Sequence, residues 1–82
     1  LPAGEVKIGS VIQVVGVGGS GLNIRSGPGR QFNAKFLAQD GQQYTVKDGP
    51  QIASDEEWWL IQDLNNPNLN GWASRRFLTV LR

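Results

Sequence analysis

The sequence predicts a small all-β domain, and three observations point there. Eleven glycines and four prolines punctuate only 82 residues, a density that suits many short strands joined by turns. The apolar segments between them are rich in β-branched and aromatic residues, and several alternate with period two, as half-buried strands do. No helix-period stretch of ordinary length stands unopposed.

Residues 1–10 form a lead-in, interrupted at Gly9, and a strand follows from about Val11 to Val15 (VIQVV). Gly16–Gly21 (GVGGSG) is a loop. Leu22–Arg25 (LNIR) alternates, which turns Leu22 and Ile24 to the core and Asn23 and Arg25 outward. Ser26-Gly27-Pro28-Gly29 is a turn, because proline fixes φ and glycine accepts unusual angles. Ala34–Ala38 and Gln43–Asp48 flank the hairpin dipeptide Asp40-Gly41. Tyr44 and Val46 share one face of the second segment; Thr45 and Lys47 share the other. Asp48-Gly49-Pro50 and Asn70-Gly71 predict further turns. Trp72–Arg82 closes the chain, with Phe77, Leu78, Val80 and Leu81 as apolar anchors.

Trp58–Leu64 (WWLIQDL) carries conflicting signals. Ser54-Asp55-Glu56-Glu57 is a capping box ahead of an apolar run, and Trp58, Ile61 and Leu64 repeat at helical spacing. Tryptophan and isoleucine, however, favour strands, and Asn65-Asn66-Pro67-Asn68 ends the run within about two helical turns. Local reasoning leaves both states open.

Composition bounds the function. A single domain of this size buries roughly 60–65% of the surface its unfolded chain exposes, so the core is thin. The chain has no cysteine and no histidine. No disulfide can form, and a metal site would rest on carboxylates and carbonyls alone; none is expected. The net charge of +1 creates no strong field toward nucleic acid or an anionic membrane. No apolar run approaches the ~20 residues needed to span a bilayer. No signal peptide is visible, and the start at Leu1-Pro2-Ala3-Gly4 reads as a domain taken from a longer protein.

GVGGSG follows VIQVV with G-x-G-x-x-G spacing, and Asp40 lies about twenty residues further on, as in a dinucleotide-binding fingerprint. That fingerprint needs a helix whose N-terminus receives the pyrophosphate. The next residues, LNIRSGPG, deny a helix, so no dinucleotide cofactor is expected. Catalysis lacks its parts. Asp55, Glu56 and Glu57 read as a solvated acidic face. Ser10, Ser20, Ser26, Ser54 and Ser74 have no histidine to activate them, and Lys7, Lys35 and Lys47 sit in polar or alternating contexts. Small β-barrels can stack bases on aromatics. Here Arg25, Arg30, Arg75 and Arg76 are diluted by Asp55, Glu56, Glu57 and Asp63, which leaves nucleic acid as a minor alternative.

The motifs GLNIRSGPG, DG, DGP, WW and NGWASRRFL, in that order, resemble a bacterial Src-homology-3 (SH3b-type) domain. The likeness rests on Leu22–Pro28, Trp58-Trp59 and Gly71-Trp72-Ala73, with Phe77 and Leu78 as the final anchor. It assigns residues 11–82 to the SH3-like domain. It implies a small, partly open barrel of five to six antiparallel strands, with Trp58–Leu64 as a strand. In a strand, Trp58 and Trp59 point to opposite faces. Ile61 shares the face of Trp59, so Trp58 is expected to face a groove. Trp72 lies either there or at the core rim.

In eukaryotic relatives a groove of this kind holds polyproline. Here Ser74 stands at the usual proline position and Phe77 at that of the groove tyrosine, which argues against polyproline. The resemblance implies instead a non-catalytic module of an exported, extracellular or cell-surface protein. Its expected ligand is cell-wall peptidoglycan or a peptide. The resemblance itself carries over only Trp58 and its neighbours; Trp58, Tyr44, Trp72 and Arg25 are the groove residues expected in this sequence, with apolar area and stacking supplying affinity. The alternative is a structural or protein–protein module in a tandem array, with no small ligand.

Overall fold

The computed structural model describes residues 6–53 and 55–81. Ser54, which opens the predicted capping box, lies outside the described residues, as do the first five residues of the lead-in. Among the described residues seven strands form: β1 Val11–Val14, β2 Leu22–Arg25, β3 Ala34–Ala38, β4 Gln43–Ala53, β5 Glu56–Asp63, β6 Asn70–Ser74 and β7 Leu78–Val80. They make one antiparallel sheet in the order β3-β2-β6-β5-β4-β1-β7, not closed into a barrel. The all-β, partly open architecture is as expected. The strand count reaches seven because a single 3-10 turn, Arg75–Phe77, divides the closing segment into β6 and β7.

The conflict at Trp58–Leu64 resolves as β5. Pleating sends Trp59 and Ile61 into the core cluster with Ile12, Val14, Ile24 and Val46. Each fully buried aliphatic side chain of this kind is worth roughly 1.5–3 kcal/mol. No helical turn could bury Trp59 and Ile61 together while pairing both edges of the segment, and β5 is paired on both sides, with β4 and with β6. Val6 of the lead-in also belongs to the core, and Gly9 N–H donates to the Val46 carbonyl at 2.8 Å.

Two predicted turns behave differently. Asp48-Gly49-Pro50 lies within β4, which continues to Ala53 through register shifts at Val46/Asp48 and Asp48/Gln51. Gly49 has φ of +124°, and a Cβ there would stand 2.9 Å from the Trp59 ring, so glycine lets the strand bulge where Trp59 crosses beneath it. Asp40-Gly41 sits in a tight turn closed by Gln42 N–H to the Gln39 carbonyl at 3.1 Å. Its flanking strands do not pair with each other: β3 pairs with β2, and β4 with β1 and β5.

The β2–β3 hairpin meets the rest of the sheet at one register pair, Arg25 opposite Trp72 on β6. Gly71 makes that approach feasible. A Cβ on it would fall 2.6 Å from Ile24 Cγ2 and 2.7 Å from the Arg25 carbonyl oxygen.

Candidate functional site

Because Trp59 and Ile61 face the core, Glu56, Trp58 and Leu60 share the opposite face of β5. Across the ladder Trp58 stands opposite Ser74, and Leu60 opposite Trp72. Above this face opens a groove of about 390 Å³. The sheet contributes Glu56, Trp58 and Ser74, the 3-10 turn contributes Phe77, and the hairpin contributes Arg25 and Arg30. Gly16, Val17 and Gly21 of the glycine loop form a further wall.

That loop contains one 3-10 turn, Gly18–Ser20, between β1 and β2, and no α-helix starts there. Its anion-holding geometry is nevertheless in use. The Asp40 carboxylate accepts from Val17 N–H at 3.0 Å and Gly18 N–H at 3.1 Å. Asp40 is thus an anchor for the loop rather than a hairpin residue.

The four residues expected in the groove separate. Trp58 lines it and lies outside the core cluster, as the pleat predicts. Only 3% of it is accessible, and its indole N–H donates to the Ala53 carbonyl at 2.9 Å. It is a floor, with little ring face open for stacking. Arg25 lines the groove, but its Nη1 donates to the carbonyls of Arg30 and Phe32 at 3.2 and 2.9 Å. It shapes the loop that carries Arg30. Trp72 lies beside Arg25 across the strands and does not line the groove. Tyr44 departs from expectation: 1% accessible, it belongs to the core, 6.5 Å from the Phe36 ring. The alternation that placed Tyr44 with Val46 was already a core signal, since both side chains leave β4 on the same side.

The groove also contains a group that composition hid. Glu56 reads in the sequence as part of a solvated acidic face, yet its side chain is only 7% accessible. Its Oε2 receives Arg30 Nε–H at 2.6 Å and its Oε1 receives the Ser74 hydroxyl at 2.8 Å. Arg76 Nη1 stands 3.7 Å from Oε1. The Arg30 hydrogen bond holds the Glu56 carboxyl below its ordinary range against the opposing cost of burial, helped by Ser74 and by the charges of Arg30 and Arg76. Asp55 and Glu57 remain exposed. The signal that could have found Glu56 is period two, since Glu56 shares a face with Trp58. Ser74 Oγ also accepts from Arg76 N–H at 3.4 Å, so one hydroxyl ties Glu56 to the turn that presents Phe77. Among the described residues no group of acidic side chains is arranged to hold a metal ion, and no helix is long and apolar enough to cross a membrane.

The chain matches no protein-family model, no curated protein and no solved structure.

Proposed function

We propose that this chain is a non-catalytic binding module of the bacterial SH3 type, which holds a peptide-like ligand of the cell wall in the groove above Trp58. The observation that carries the reading is the position of the groove. It lies between Trp58 and Phe77, the two residues that the resemblance aligns with an aromatic ligand groove. The low accessibility of Trp58 shifts the expected contacts from ring stacking to the rim, where Arg30 and Phe77 stand. The extracellular setting belongs to the same reading and rests on the resemblance alone.

Retention on purified peptidoglycan tests the proposal, comparing wild type with Trp58→Ala and Trp58→Phe. Wild type should be retained, Trp58→Phe nearly as well, and Trp58→Ala weakly. Absence of retention for folded wild type would remove the ligand reading. Equal retention of a folded Trp58→Ala variant would move the site elsewhere.

A second reading, a protein–protein module in a tandem array, draws on a different observation. β3 lies at one end of the sheet with Leu37 half exposed, so a neighbouring chain could extend the sheet there.

A further inference from the structure

We propose that the groove selects ligands with a free carboxylate, and that the Nη edge of Arg30 receives it. This rests on the reading of the groove as the ligand site and adds the chemical class of the ligand.

The charges at the groove have unequal freedom. Glu56 is turned inward, with both oxygens engaged by Arg30 and Ser74, so it offers an incoming group little acceptor capacity. Arg25 is engaged with the carbonyls of Arg30 and Phe32. Arg76 stands 5.8 Å from the centroid of the Phe77 ring. Asp40, occupied by the glycine loop, does not line the groove. Arg30 is different. Its Nε is fixed on Glu56, its side chain is 59% accessible, and its Nη groups have no partner among the described residues.

A guanidinium pinned at Nε is held in orientation while its Nη1/Nη2 edge faces outward. That edge matches the two oxygens of a carboxylate in a planar, bidentate contact. Arg25 and Arg30 line the groove and Arg76 stands beside Glu56, so three guanidinium groups outweigh one carboxylate that is turned inward, and the open side of the site favours an anion. Val17, Leu22, Trp58 and Phe77 add apolar wall beside Arg30. The combination fits the end of a peptide, a carboxylate next to a short aliphatic group, better than a neutral or cationic segment.

The test uses two probes, N-acetyl-alanyl-alanine with a free carboxylate and the same dipeptide as its C-terminal amide, each as the D,D and the L,L form. Binding is followed by NMR titration of backbone amides and the Arg30 Nε–H. The acid should bind at least about tenfold more tightly than the amide, the scale of one charge-assisted contact. Arg30→Lys should keep the ion pair to Glu56 and the fold but lose the free edge, bringing the two probes within about threefold of each other. Arg30→Gln combined with Glu56→Gln removes both charges together and should show no preference. Equal binding of acid and amide to wild type overturns the carboxylate inference and leaves the groove reading intact. Failure of every probe also overturns it, and retention on peptidoglycan then decides the groove reading separately. A preference that survives in Arg30→Lys removes the assignment to Arg30.

Discussion

Asp40 grips Gly18 across the molecule: one carboxylate oxygen takes the Gly18 N–H at 3.1 Å while the other takes that of Val17 at 3.0 Å. A backbone stretch with glycine in the left-handed region, φ +60° at Gly18, turns successive N–H groups toward one point. The chain supplies its own anion to that point. Replacing Asp40 by alanine should cost about 1 kcal/mol, the scale of a lost side-chain cap. Urea denaturation measures the loss. Faster hydrogen exchange at Val17 and Gly18, with β5 unchanged, would locate it. Asp40→Asn should retain part of the effect.

Glu56 makes the fold sensitive to acid. Its carboxyl is held below the ordinary value of 4.5 in the folded state by the Arg30 hydrogen bond, Ser74 and the neighbouring charges. The folded state therefore binds this proton less readily than the unfolded state does. The resulting stabilisation is complete above about pH 4.5 and is lost as pH falls through the lower folded value. Thermal melts from pH 7 to pH 3 should show the decline, and Glu56→Gln should flatten it. At pH 7 the same variant should lose about 1–3 kcal/mol, the scale of hydrogen bonds to a charged group.

Tyr44 sets the alkaline limit. Burial raises its phenol above the ordinary value of 10.0, and the nearby Asp63 charge adds to the effect. The neutral phenol is the form the core accepts, so the unfolded chain ionises first. Stability from this residue is present below pH 10 and falls as pH rises beyond it. The chain contains one tyrosine, so its tyrosinate absorbance reports a single group. Titration of the folded protein at or below pH 10 would contradict the burial.

Gly71 tolerates no side chain. Alanine there would press on Ile24 and on the Arg25 carbonyl. Overpacking of this kind costs about 1–3 kcal/mol. Gly71→Ala should lower the unfolding free energy measured by urea denaturation by that amount. Alanine at Gly41, where a Cβ meets only the Gln13 side chain at 3.9 Å, avoids such a clash but still carries the strain of φ +89°. The two variants separate crowding from backbone preference.

Much of the fold is legible locally. LNIR alternates in the sequence and alternates in burial. Gln43–Lys47 does the same. Trp58–Leu64 is not legible, because helical spacing and strand propensity coincide over a few residues. Only pairing with β4 and β6 chooses between them. The site is harder still. Trp58 and Arg25 reach the groove through pleating, which period two reveals. Glu56 and Arg30 meet from segments 26 residues apart, and no local pattern announces that contact. Tyr44 is a core residue and not a groove residue, because the face it shares with Val46 is the buried one. Asp40 looks like a residue of its own turn in the sequence, whereas the two N–H groups it holds lie across the fold.

The join between hairpin and sheet is the groove's most sparsely paired seam. One rung, Arg25 opposite Trp72, links β2 to β6, and Leu22 and Ile24 are the apolar latch beneath it. Beyond that rung the hairpin is held by side chains, Arg30 on Glu56 and Lys35 Nζ on Asn70 Oδ1 at 3.1 Å, whereas β5 is clamped by backbone pairing along both edges. Trp58, Glu56 and Ser74 belong to the clamped half and Asn23, Arg25 and Arg30 to the hairpin, with the Arg30–Glu56 hydrogen bond tying the two. A ligand spanning Arg30 and Phe77 would bridge hairpin and sheet as one more tie, so that occupancy would add to the stability of this seam.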